Sequence, residues 1–171
     1  MDHKLLENAP LFKDVAPEEI DAMLQCLGTE EKEGEIIFHA GDVIHSIGLV
    51  LTGRVQIEND DLWGNKSVLE SVGPGFAFAE SYACLPGEPL MVSAIAAEPS
   101  RILFLDTGRV LTAYPSACSH HSRLVQNLLY ISSQNASYIH CTPPWRPCVS
   151  AVVTIYISLS GTYNASWPAI P

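Results

Sequence analysis

The sequence predicts a mainly β fold: an antiparallel β-roll with flanking helices. Three observations carry this reading. Between Glu35 and Asp106, short apolar runs are separated by Ala40-Gly41-Asp42, Thr52-Gly53-Arg54, Glu58-Asn59-Asp60-Asp61 and Gly73-Pro74-Gly75. Short strands at regular spacing, broken by turn residues, are the pattern of a small roll or barrel. Segments on either side show the 3.6-residue period of amphipathic helices instead. The composition, 171 residues with 47% hydrophobic and 16% charged, suits a chain that buries one good core. A closed roll of this size holds one small ligand between its walls, which points to a sensor rather than a catalyst.

The elements follow in order. Pro17 suits the first residue of a helix, and Glu18, Glu19 and Asp21 favour its positive end. Ile20, Met23, Leu24 and Leu27 share one face, and Gly28 ends the helix. Strands and turns then alternate from about Glu30 to Asp106. Asn59-Asp60 marks a hairpin between Val55–Glu58 and a strand near Ser67–Leu69. Gly108–Ala113 reads as a short helix that stops before Pro115. Ser119 caps a longer helix from His120 to Gln134, on which Leu124, Leu128 and Ile131 align, with Val125 and Leu129 beside them. A stripe this apolar packs on the roll or on a second chain.

Charge excludes some functions. The formal net charge is −10, and only nine Lys and Arg are present, without a basic stretch. Neutralising a nucleic acid backbone needs clustered cations, so this polypeptide is not expected to bind DNA unaided. The charged N-terminus does not resemble a signal peptide, and no apolar run reaches the roughly 18 residues of a membrane helix. No membrane partner is therefore expected. Five cysteines at irregular spacing argue against a disulfide framework and fit a reducing cytoplasm.

Composition breaks sharply near Gln134–Ser137. The last of the nineteen acidic residues is Asp106, and beyond Arg123 the only charged side chain is Arg146. Residues 137–171 are rich in Pro, Trp, Ser and Thr. We read this tail either as an out-of-frame translation or as a divergent segment whose Val149–Ser158 run adds a strand. The chain thus divides into a roll with its N-terminal helix (1–107), a hinge helix and long helix (108–136), and the anomalous tail (137–171).

Several segments, in order and at matching spacing, resemble the effector domain of the Crp/Fnr family of bacterial transcription regulators. Leu11-Phe12-Lys13-Asp14-Val15 with Pro17-Glu18-Glu19-Ile20 resembles the opening helix. Ile36-Ile37-Phe38, Ala40-Gly41-Asp42 and Leu49–Val55 resemble the first strands and turns. Val72–Phe76 running into Ala79-Glu80 resembles the approach to the phosphate-binding cassette, and Arg101–Asp106 the last strand before the hinge helix. The likeness covers roughly residues 10 to 136. It implies a cyclic-nucleotide-binding-like double-stranded β-helix, a small-molecule effector, and a homodimer through the long helix with Leu124, Leu128 and Ile131 at the seam. It also implies a winged helix-turn-helix beyond the long helix. Nothing in 137–171 supplies one, so DNA is reached only through a missing C-terminal domain or an intact partner copy.

In cyclic-nucleotide binders a Gly-Glu pair opens a short helix, the glutamate takes the ribose hydroxyl, and an arginine further along neutralises the phosphate. Ala79-Glu80-Ser81 occupies the first part here, and Glu80 matches the ribose glutamate. The arginine position falls near Leu90–Val92, and no arginine lies between Arg54 and Arg101. Losing that cation forfeits ~1.5–3 kcal/mol, so cyclic AMP is expected to bind weakly or not at all. The effector is unknown. Phe76, Phe78, Ala79, Glu80, Ser81 and Met91 are the candidate ligand contacts, with an apolar or neutral effector favoured by Phe76, Phe78, Tyr82 and Met91. Core packing is the alternative for each apolar side chain, and a helix-start carboxylate is the alternative for Glu80.

No catalytic residues, metal or cofactor are expected. His39 and His45 lack the His-x-His spacing of a cupin metal set, though a cupin-like metal-dependent enzyme is the competing reading, as is a stand-alone effector-binding module. Cys26 alone near the N-terminus does not make an iron–sulfur site.

Overall fold

The computed structural model describes residues 3–27, 29–33, 36–60, 66–85, 87–112 and 121–138. Three helical pieces lead in: α1 (His3–Asn8), a 3-10 turn (Pro10–Phe12) and α2 (Pro17–Leu27). Among the described residues eight strands follow: β1 (Thr29–Glu33), β2 (Ile36–Phe38), β3 (Ser46–Thr52), β4 (Val55–Asp60), β5 (Lys66–Val72), β6 (Ala77–Phe78), β7 (Ser93–Ala96) and β8 (Arg101–Asp106). Helix α3 (Glu80–Ala83) interrupts them, and α4 (Thr107–Thr112) and α5 (His121–Tyr138) follow β8. The strands form two four-stranded sheets, ordered β1-β8-β3-β6 and β2-β7-β4-β5, and every pairing is antiparallel.

Strand β8 shows how the layers are built. Ile102, Leu103, Phe104 and Leu105 are all buried, because successive side chains point to opposite faces. Ile102 and Phe104 face the inside of the roll with Val50, Val55, Val72, Phe78 and Ala94, drawn from both sheets. Leu103 and Leu105 face the helices, with Ile47, Leu49, Leu51, Phe12, Ile20, Leu24, Leu124 and Leu128. The register with β3 keeps these faces matched, pairing Leu49 with Leu103 and Val50 with Ile102. Each such side chain contributes about 1.5–3 kcal/mol of burial, so the two-faced strand joins roll and helices into one body.

Helix α2 begins at Pro17 as the sequence indicates, with Ile20, Met23 and Leu24 buried. The β4–β5 hairpin forms, with β5 longer than the strand expected near Ser67–Leu69. The hinge helix starts at Thr107, one residue early, and the long helix reaches Tyr138. Gly28, Ser119, His120 and the whole of 139–171, including the Val149–Ser158 run, lie outside the described residues. Among the described residues, no helix is long and apolar enough to cross a membrane.

Leu124 and Leu128, expected at a seam between two chains, are 1% and 0% exposed and sit in one core cluster with Leu11, Phe12 and Leu103 of their own chain. Asn127 fixes this docking by donating from Nδ2 to the Leu11 and Lys13 carbonyls at 3.0 and 2.8 Å. The stripe is satisfied within the molecule, because the 3-10 turn supplies the partner surface. Ile131, the third member, is partly buried at the edge of the same cluster.

Candidate functional site

The cassette is built around a strained turn. Ala79 sits in the left-handed region at φ 63°, ψ 10°, immediately before α3. This conformation costs a residue with a Cβ roughly 1–2 kcal/mol and is free for glycine. Ala79 thus holds a backbone shape that suits glycine, the residue that the resemblance leads one to expect there. Ala83 and Cys84 amides donate back to the Ala79 and Glu80 carbonyls at 2.9 and 3.2 Å, closing the single turn of α3.

Glu80 and Ser81 are 4% and 6% exposed, and the Ser81 hydroxyl donates to Glu80 Oε1 at 3.4 Å. Burial, and secondly the negative charge of Glu80, pushes the Cys84 thiol up to about 12. The cassette is thus an acidic, desolvated corner. The following loop is clamped to the turn after β2: Leu90 N donates to Asp42 O at 2.8 Å, and Gly41 N to Leu90 O at 2.7 Å. Leu90 is buried, Val92 partly so, and Met91 is 51% exposed. No cation stands in this run to meet a phosphate.

A hydroxyl joins the cassette to the hinge. Thr107 Oγ1 lies 2.8 Å from the carbonyl oxygen of Ala83, the last residue of α3, and 2.8 Å from that of His45. Its single proton is shared between them or given to one. The Thr107 amide also donates to His45 O at 3.0 Å. Thr107 is 4% exposed and is the first residue of α4.

A second feature is an open groove of about 550 Å³ between the roll and α5. Phe76, Ala77, Val72, Tyr130 and Ile131 give it apolar walls, and Arg54, Glu70, Ser71 and Gln134 bring polar groups. Arg54 is held in place by its neighbours. Gly53, at φ 83°, approaches Pro99 and Ser100 so closely that a Cβ would stand 2.6 Å from the Pro99 carbonyl oxygen. The Arg54 amide then donates to the buried Ser100 hydroxyl at 3.0 Å. Its Nη1 reaches Ser71 Oγ at 3.4 Å. Glu70 pairs with Ile57 across β4–β5 and so shares the inward face of Val55 and Val72. Although Glu70 is an exposed residue, partial desolvation of its carboxyl raises its pKa.

The structure separates the six candidate ligand contacts. Phe76 lies on the groove, 57% exposed. Phe78, two residues on, is 3% exposed in the core and packs with Phe38, its ring so close over Gly48 that no side chain fits there. Ala79, Glu80 and Ser81 form the cassette corner, and Met91 lies on the exposed loop beyond it. None of these last four lines the groove. Arg54, Glu70, Ser71, Tyr130 and Gln134 were not singled out from sequence. Arg54 read as a turn residue, and its proximity to Tyr130 depends on how α5 docks, which no local pattern encodes. His39 and His45 lie exposed, and among the described residues no three His, Cys, Asp or Glu are placed to hold a metal ion.

Comparisons with known proteins agree with this geometry. Residues 30–114 match the family model described as the cyclic nucleotide-binding domain. The chain is 34% identical over 101 residues to the cyclic AMP receptor protein of Thermus thermophilus, a match covering 58% of this chain and 46% of that protein. It therefore spans about half the length of that curated relative. The crystal structure of the Thermus thermophilus catabolite activator protein superposes with a TM-score of 0.55 at 26% identity, over 89% of this chain and 63% of that one. A cyclic nucleotide-binding domain from Methylobacillus flagellatus superposes at 0.64 and 17% identity, over 98% and 84% of the two chains, which speaks for the fold alone.

Proposed function

Because the chain carries a cyclic nucleotide-binding domain of the Crp/Fnr type, we propose that it is the effector-sensing part of a transcription regulator and not an enzyme. A small molecule in the roll biases the hinge, and α4 and α5 carry the change onward as a shift between two populations. The observation that supports this reading best is the Thr107 joint, which ties the end of the cassette helix to the start of the hinge. DNA is contacted by another domain or by an intact partner copy, since the net charge of −10 is unsuited to a phosphate backbone. Pairing of two copies uses the outer face of α5, where Arg123 and Gln126 are exposed, because Leu124 and Leu128 are already buried.

Cyclic AMP is a weak ligand in this account. The cassette keeps Glu80, but no Lys or Arg lies between Glu80 and Val92 to meet a phosphate. A buried anion without a cation is poorly compensated. A cytoplasmic setting completes the proposal.

The test is native-state hydrogen exchange on the full chain and on Thr107→Val. Amides of 82–85 and 107–112 are expected to share one opening free energy in the wild type and to separate in the variant. Independent opening of the two segments in the wild type would contradict the relay.

A further inference from the structure

We propose that the groove between the roll and α5 is a binding site for a small zwitterion with an apolar body, an amino acid with an aromatic or aliphatic side chain, its carboxylate on Arg54 and its ammonium group on Glu70. This names an effector for the sensor described above and rests on that reading for its regulatory consequence. The binding itself is argued from the groove alone.

Arg54 and Glu70 both line the groove, and among the described residues neither makes an ion pair. Arg54 has only the neutral Ser71 hydroxyl, at 3.4 Å, while its backbone is pinned by Gly53 and Ser100. A planar guanidinium so placed binds a carboxylate through two parallel hydrogen bonds. Glu70 is the neighbour of Ser71 on β5. Among the described residues that strand pairs with β4 alone and forms the edge of its sheet, and both Glu70 and Ser71 line the groove. Arg54 and Glu70 therefore border the same space. Desolvation already disfavours the Glu70 anion, and a ligand ammonium group replaces the lost hydration.

The charge pattern selects the ligand class. A simple anion on Arg54 meets the negative Glu70, and a simple cation on Glu70 meets Arg54. A dipolar molecule satisfies both. The rest of the groove is apolar, and its two aromatic members are conspicuously uncovered: Phe76 is 57% and Tyr130 64% exposed. Both rings can cover an apolar side chain, and their faces favour an adjacent ammonium group. A volume of about 550 Å³ falls within the range of small-molecule sites. Because Tyr130, Ile131 and Gln134 belong to α5 and the charged pair to the roll, an occupant bridges the two layers.

Isothermal titration calorimetry on the full chain tests this with L-phenylalanine and L-leucine, against 3-phenylpropionate and phenethylamine, which each lack one charge. At least one amino acid is expected to bind more tightly than about 1 mM, with each single-charge analogue at least about tenfold weaker. Arg54→Gln and Glu70→Gln should each weaken binding by a similar factor, while Arg109→Gln, which removes an exposed cation outside the groove, should not. Circular dichroism of the three variants checks that they fold. Failure of both amino acids to bind, equal binding of an analogue, or indifference to Arg54→Gln overturns the proposal. Hydrogen exchange with bound amino acid separates this from the sensor reading: binding without altered protection in α4 and α5 leaves the site and removes the relay.

Discussion

The cassette and the groove divide between them what a ligand site needs. The cassette has the backbone frame: a left-handed turn at Ala79, a one-turn helix, a buried Glu80 and a hydroxyl joint to the hinge. Its run from Glu80 to Val92 carries no Lys or Arg. The groove has a guanidinium without an ion-pair partner among the described residues and two uncovered aromatic rings, but it is open to solvent. Backbone shape in this fold is set by strand pairing and core packing, which do not consult charge. A domain can therefore keep the frame of a nucleotide pocket while its ligand chemistry moves elsewhere.

The largest expected contrast is between two phenylalanines. Phe78→Ala removes a ring packed against Phe38 and Gly48 and should cost about 3–5 kcal/mol in denaturant unfolding. Phe76→Ala, on the groove, should stay within about 0.5 kcal/mol. Equal losses would erase the distinction between core and groove. Next, Thr107→Val leaves the Ala83 carbonyl without its side-chain donor and should lower stability by about 1–3 kcal/mol. A neutral result would mean that the cassette and hinge are joined only by packing.

Ala79→Gly works in the opposite direction. It removes about 1–2 kcal/mol of left-handed strain and returns about 0.4–1 kcal/mol of chain entropy to the unfolded state. A net gain of roughly 1 kcal/mol is expected, and a loss would show that the Ala79 methyl group packs usefully. The smallest effect concerns Glu70. Its folded pKa is raised above 4.5 by desolvation, so the neutral form is favoured in the native state. Below the ordinary value there is no penalty; as pH rises through the folded pKa the penalty appears. Glu70→Gln should therefore match the wild type in acid and become slightly more stable, by at most about 0.5 kcal/mol, near neutrality. Stability measured by urea titration at several pH values checks the sign.

Much of the frame was legible in the chain because it is written in periodicity. The unbroken Ile102–Leu105 run marks a strand buried on both faces, and Pro17 marks a helix start. The stripe Leu124–Leu128 was equally visible, yet its partner was not. An amphipathic face reports that something covers it, and here the cover is the 3-10 turn more than a hundred residues away. Phe76 and Phe78 look alike by alternation, but β6 is only two residues long and Phe76 precedes it, beyond the turn at Gly75. Ala79 carries no local signal of a positive φ, since alanine is usually right-handed. The absent arginine was legible because position along a resembling motif is one-dimensional. The Arg54–Glu70–Tyr130 convergence was not, since it arises only when α5 lies against the roll.

The most direct test of the central claim, that the nucleotide frame survives without its phosphate grip, is a calorimetric titration of the full chain with cyclic AMP. A dissociation constant weaker than about 10 μM, or no detectable heat, is the expected result. A constant tighter than about 10 μM would contradict it, because the cassette would then be holding a phosphate without the cation that the account requires.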